Sequence, residues 1–254
     1  MRDQLGRVAD AIGVRGPLLR TRDRLVDLLT GNHESAGVRR NRRDDFHLEL
    51  LLRFGLRPES NYLDVGANQG HFLRGVSSLA PLGHHVAYEP LPHLCAKLSQ
   101  RYPEVEVRQA ALSDRDGEFP FIHVLGAGNQ GYSNLVEGGS NVPAYSAEME
   151  TETIMVRTER LDDHLPTDWL PNIIKIDVEG AEIRVLRGAI DTLRRAKPVI
   201  AFEHVWDPDG SEEMYSLICG DVGLRIFDMD GNGPLTRPQF FEELHARWNW
   251  VAHE

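Results

Sequence analysis

Cysteine is nearly absent: the 254-residue chain holds Cys95 and Cys219 and no others. Two distant thiols provide neither a disulfide framework nor a cysteine metal site. Long apolar runs are missing as well. No segment offers the ~20 consecutive apolar residues needed to cross a bilayer. The opening stretch MRDQLGRVADAIGVRGPLLR breaks every apolar run with charge or glycine, unlike a secretory signal. A cytoplasmic protein without a membrane span is the expectation. Positive charge is also short, with a net charge of −11, which argues against a nucleic-acid partner. The G-x-G-x-x-G of dinucleotide-binding loops does not occur after any strand-like segment, which counts against a nicotinamide oxidoreductase.

What remains is an ordinary soluble composition, 41% hydrophobic and 26% charged, in a chain long enough to bury a sizeable core. Residues 1–30 carry helically spaced apolar positions (Leu5, Val8, Ile12, then Leu25, Leu28, Leu29). The arginine-rich run GNHESAGVRRNRRDD reads as a polar connector, and a helix is expected from Asp45 to Phe54. From residue 61 strands and helices alternate. The strands are NYLDVG, HHVAYEP, VEVRQAAL, NIIKIDV and KPVIAFEH, with two extra strands, FPFIHV and TIMVRT, and two late ones, LRIFDMD and WNWVAH. Helices are expected over 71–80, 92–101, 183–193 and 211–222. Such alternation predicts an α/β fold with a mostly parallel, doubly wound sheet. Residues 1–45 are expected to form a helical N-terminal extension, serving as an acceptor lid or a homodimer contact, and 46–254 the main domain.

Ligands of such sheets sit at the carboxyl ends of the strands. The first strand ends in LDVGANQG, which supplies Asp64, Gly66, Asn68 and Gly70. The glycines permit a sharp turn and close approach of a ligand. Asp64 would repel a pyrophosphate but accept an ammonium group, and Glu89, ending the second strand in YEP, suits the two hydroxyls of a ribose. A ribose-bearing ligand with a cationic head and no phosphates fits all three conditions, and S-adenosylmethionine is such a ligand. Ala111, Leu112 and Ser113, after the third strand, are expected to line its adenine.

The fourth strand runs into IIKIDVEGAE, which crowds Asp177, Glu179 and Glu182 into six residues. Acids at a helix start cap its amides and suit its dipole, the role expected of Glu182. Asp177 lies at the strand end beside Glu203 and His204 of the fifth strand. That set is expected to bind a divalent ion through few protein ligands. An aliphatic hydroxyl, with a pKa of about 15 like that of water, needs a base or a metal before it accepts a methyl group, and Asp177, Glu179 or His204 could be that base. In the loop after FPFIHV, Asn129, Tyr132 and Ser133 offer donors for sugar hydroxyls, with His123 beside them.

The segments LDVGANQG, YEP, ALSDRDGE, RLDDHL, IKIDVEGAE, VLRGA and FEH together resemble the FkbM-type methyltransferase family, over residues 60–205. The resemblance implies a Rossmann-like class I fold and S-adenosylmethionine-dependent O-methylation of carbohydrates or other natural products. By similarity to metal-dependent sugar O-methyltransferases it also implies Mg2+ held at Asp177, Glu203 and His204. The expected partner is a small-molecule or oligosaccharide acceptor.

Overall fold

The computed structural model describes residues 36–125, 133–136, 150–204 and 207–254. The expected helices of residues 1–30, together with Asn129 and Tyr132, lie outside these. The first described element is a 20-residue helix, α1 (Ala36–Gly55). Then follow β1 (Tyr62–Val65), α2 (Leu73–Leu79), β2 (His85–Tyr88), α3 (Pro92–Arg101) and β3 (Val105–Arg108). Four strands interrupt the alternation only in part: β4 (Ala111–Leu112), β5 (Gly117–Val124), β6 (Asn134–Leu135) and β7 (Thr151–Glu159). After the short α4 (Leu161–His164) come β8 (Ile173–Ile176), α5 (Glu182–Gly188), α6 (Ile190–Ala196) and β9 (Val199–Glu203). The chain closes with α7 (Pro208–Tyr215), which continues as π-helical turns over Ser216–Val222, then β10 (Arg225–Asp228), α8 (Arg237–Glu243) and β11 (Asn249–His253).

Seven strands form the main sheet in the order β3-β2-β1-β8-β9-β11-β10. All neighbours from β3 to β9 pair in parallel, whereas β11 runs antiparallel to both β9 and β10. This is the mostly parallel, doubly wound sheet expected. Strand order reverses on either side of β1, so the cleft above β1 and β8 is the switch point where ligands of such sheets bind. The central strands β1, β2 and β8 are buried at every position, as strands covered on both faces must be. Leu63, Ile174, Ile176, Ile200 and Phe202 belong to one core with Leu186, Leu193, Ile218 and Phe240 of the later helices. The alternate residues Tyr62, Ile173, Val199 and Ala201 join a second core with Leu48, Leu51, Leu52 of α1 and Leu73, Val76 of α2.

Four observed features differ from the expected elements. The polar connector ends earlier than expected, because α1 begins at Ala36, and the boundary expected at 45/46 falls inside that helix. VEVRQAAL is two strands: β3 stays in the main sheet, while β4 joins β7, β5 and β6 in a second, four-stranded sheet. A third small core of Leu91, Leu94, Phe121, Leu135 and Val156 packs that sheet on α3. The helix expected over 183–193 breaks at Ala189 into α5 and α6. Helix α8 was not expected, although its start carries a capping box, with Thr236 and Gln239 serving each other's backbone.

Trp250 is fully buried, stacks edge-on against Phe240 at 4.8 Å and donates its indole N–H to the His204 carbonyl at 3.3 Å. A Trp250→Ala variant should lose about 3–5 kcal/mol of stability, read as a lowered urea midpoint with near-native slope.

Candidate active site at the strand ends

The loop after β1 turns on left-handed residues: Gly66 at φ 75°, Asn68 at φ 49° and Gly70 at φ 71°. Gly66 is required for a second reason. A Cβ there would stand 2.0 Å from the Asp177 carbonyl oxygen, so glycine alone lets the loop touch the tip of β8. The amides of Gly66 and Ala67 both donate to the Tyr88 carbonyl, at 3.1 and 3.0 Å. Glu89 then clamps the loop from β2. Its carboxylate accepts from the Asn68 amide at 2.8 Å and from the Leu91 amide at 2.9 Å. Burial pushes its pKa up to about 6 despite those bonds. Two buried acceptors at the loop, Asp64 Oδ1 and Asn68 Oδ1, have no hydrogen-bond donor. Buried acceptors without donors are uncommon. Here they fit a ligand that brings N–H or O–H groups, such as an ammonium or a ribose.

Lys175 is the residue that the sequence reading passed over. It lies directly across from Asp64 in the β1–β8 register and is buried. Its ammonium donates to the Gly66 carbonyl at 2.9 Å and pairs with Asp177 at 3.3 Å and Asp64 at 3.5 Å. Burial opposes the charge, but Asp177 and Asp64 outweigh it and hold the pKa above the ordinary lysine value. Its only signal in IIKID was a charge inside an otherwise apolar strand.

On the far side of Lys175 the structure gathers Asp177, Glu179 and Glu203, with one carboxylate oxygen from each within 4.8 Å of the others. Glu179 arrives there through a turn in which it adopts φ 55° and Gly180 φ 100°. Burial, then the charges of Asp177, Glu179 and Glu182, push Glu203 up to about 9. Such a cluster takes up a proton or a cation. Glu182 holds the turn from below, accepting the amides of Val178 and Gly180 at 3.2 and 3.0 Å. It stands in the first turn of α5, as expected of a dipole partner, but no side chain caps that helix. A cleft opens at this end of the sheet, lined by Asp177, Glu203 and Lys175 on the sheet and by Asp44, Asp45 and Leu48 of α1.

His204 is not brought to the acids. Successive strand residues face opposite sides of a sheet, so Glu203 points to the α1 side and His204 to the α8 side. The His204 Nε2 pairs with Ser211 Oγ at 3.0 Å and the ring stacks on Phe240. Glu179 occupies the place expected of this imidazole, and the donor set becomes all oxygen. Among the adenine candidates, Ala111 is half-buried. Leu112 is 2% exposed within the main core and Ser113 0%. As folded, neither Leu112 nor Ser113 offers a surface to a ligand. The Ser113 carbonyl instead abuts Gly188, where a Cβ would approach to 2.0 Å. Ser133 Oγ accepts the Val124 amide, and His123 Nδ1 pairs with Glu152 at 2.9 Å.

A family model of the methyltransferase FkbM domain matches residues 64–225, from the start of the glycine loop to β10. The chain belongs to the FkbM methyltransferase family. It is 31% identical over 218 residues to the AMB antimetabolite synthetase AmbE of Pseudomonas aeruginosa, a match covering 70% of this chain and 10% of that protein. It is 28% identical over 183 residues to the 2-O-methyltransferase NoeI of Sinorhizobium fredii, covering 68% of this chain and 72% of that one. The solved FkbM methyltransferase of Methylobacillus flagellatus superposes with a TM-score of 0.48 at 15% identity, over 78% of this chain and 44% of that one. Family membership and the mostly parallel seven-stranded sheet make the fold the Rossmann-like class I methyltransferase fold. No helix among the described residues is long and apolar enough to cross a membrane.

Burial lowers the His204 pKa from 6.5 to about 4. An imidazole whose pKa falls on folding binds protons more readily when unfolded. The stability it leaves intact above pH 6.5 is therefore lost as pH falls from 6.5 towards 4. A His204→Gln variant should remove that slope from the denaturation midpoint measured between pH 4 and 7.

Proposed function

We propose that this FkbM-family chain is an S-adenosylmethionine-dependent O-methyltransferase acting on a hydroxyl of a sugar, glycoside or oligosaccharide. One observation carries the reading. The glycine loop of β1 and the acids ending β8 and β9 lie on adjoining strands and are joined through Lys175. A donor at the loop and an acceptor at the acids would therefore meet. The relative named as a 2-O-methyltransferase supports oxygen as the acceptor atom.

When bound, S-adenosylmethionine supplies a methyl group carried on a sulfonium. The chain's own work is to hold the reactants and manage a proton. Asp64, ion-paired with Lys175, and Asn68, whose Oδ1 has no hydrogen-bond partner, are placed to hold the donor, and Glu89, already fixed by two amides, is positioned for its ribose. Orientation of this kind supplies much of the rate in group transfer. At the acid cluster, Asp177 or Glu179 takes the acceptor's proton, whereas His204 is committed to Ser211. A hard divalent ion such as Mg2+ suits the all-oxygen set of Asp177, Glu179 and Glu203. The chemistry it would supply is stabilisation of negative charge on the acceptor oxygen. Helix α1 borders the cleft with Asp44, Asp45 and Leu48, which supports an acceptor-side role for the N-terminal segment.

A second reading is O-methylation of a natural product other than a sugar. Phe72 and Met229 also border the cleft, and such walls favour an acceptor with an apolar face.

Release of S-adenosylhomocysteine should be detectable with a pool of monosaccharides, glycosides and short oligosaccharides in Mg2+, and should fall in EDTA. Asp177→Asn and Glu203→Gln should each reduce turnover by roughly a hundredfold or more while retaining binding of S-adenosylhomocysteine. Undiminished turnover in both variants would remove the acids from the reaction, and full activity in EDTA would remove the metal.

A further inference from the structure

We propose that Lys175 is a positioning residue, a buried ammonium strut that fixes the donor loop against the acceptor-side acid. The proposal rests on the methyltransferase reading of the site. An ammonium has three N–H donors and no acceptor. Here it faces three acceptors on three separate stretches: the Gly66 carbonyl at 2.9 Å, Asp177 Oδ2 at 3.3 Å and Asp64 Oδ1 at 3.5 Å. The first belongs to the loop, the second to the tip of β8 and the third to β1.

The same two parts touch a second time, through the backbone. The Asp177 amide donates to the Val65 carbonyl at 3.1 Å, and the Asp177 carbonyl packs where a Gly66 Cβ would be. The backbone contact fixes the height of the loop. The ammonium fixes what the backbone cannot, namely the direction of the Gly66 carbonyl and of two carboxylates. Asp64 Oδ1, at 3.5 Å, meets Lys175 as the longest of the three contacts. Lys175 touches Asp177 through Oδ2, so it sets how that carboxylate presents itself to the cleft. Because the strut meets both sides, it sets the separation of donor and acceptor, on which in-line transfer depends steeply.

Lys175 should therefore act on ligand binding and not on stability alone. Removing one partner of a buried ion pair leaves an uncompensated charge and destabilises the fold, so Lys175→Met needs a companion. In Asp64→Asn/Lys175→Met the charge removed at one residue is matched by the charge removed at the other, and its melting temperature should recover much of the loss. Calorimetry with S-adenosylhomocysteine, below the melting onset of every variant, reads binding by folded molecules only. Lys175→Met should bind at least tenfold more weakly than the wild type, and Asp64→Asn/Lys175→Met at least tenfold more weakly than Asp64→Asn. Lys175→Arg, which keeps a charge in place, should recover part of the affinity. If the lysine variants melt lower yet bind within about twofold of their references, the strut serves stability only and the proposal fails. A wild type that binds no S-adenosylhomocysteine would overturn the methyltransferase reading itself, a result distinct from unchanged binding in the variants.

Discussion

The site depends on one buried cation. Three strand-end acids, Asp64, Asp177 and Glu203, face the same side of the sheet, and two of them are shared by the Lys175 ammonium. Without it, the buried Asp64 carboxylate would stand close to Asp177 with no cation to offset either charge. Placement is enforced by register, since Asp64 and Lys175 are direct partners across parallel strands. A slip of one residue would turn Lys175 into the opposite core among Leu186 and Phe240. The charge arrangement and the strand pairing thus specify one another.

Pleat alternation sorts the remaining groups. Residues 62, 64, 173, 175, 199, 201 and 203 share the face under α1, and its apolar members belong with Leu48, Leu51 and Leu52 of that helix. The polar ones follow towards the carboxyl ends, where α1 gives way to the cleft. On the opposite face His204 enters a packed environment of Phe240 and Ser211, which explains both its low pKa and its separation from the acids. Glu179 is not governed by alternation, because it lies beyond the strand in a left-handed turn. That turn, held by Glu182, converts a fourth position of the motif into a cleft residue.

These causes also mark what could be read from the amino-acid sequence. The strand–helix alternation and the glycine loop with its following acid are local patterns, and α3 and the core strands appear where they were expected. Asp177 and Glu203 were placed together because both end core strands, which needs only the parallel order. His204 was misplaced because FEH was read as a cluster, when period-2 geometry sends its last two residues to opposite faces. Lys175 was invisible for the opposite reason. A single lysine in IIKI looks like an imperfection of an apolar run until the partner strand supplies Asp64. The second sheet was partly legible as extra strands. That β4 leaves the main sheet follows from a tertiary contact, the β4–β7 pairing, for which ALSD carries no pattern.

The charge balance of the cleft narrows what can occupy it. Asp44, Asp45, Asp177 and Glu203 line the opening, and among the described residues Lys175 is the one lining cation, already engaged by two carboxylates. An anionic acceptor would enter against that field, whereas a neutral polyol or a cation would not. The high pKa of Glu203 expresses the same imbalance: with no cation, the cluster relieves it by holding a proton. A divalent ion at these oxygens would compete with that proton. On the proposed reaction, a carboxylate of this cluster would have to be unprotonated to receive the proton of a hydroxyl acceptor. On the proposed function, the acids that exceed what capping requires would offer their oxygens to a cation or a proton.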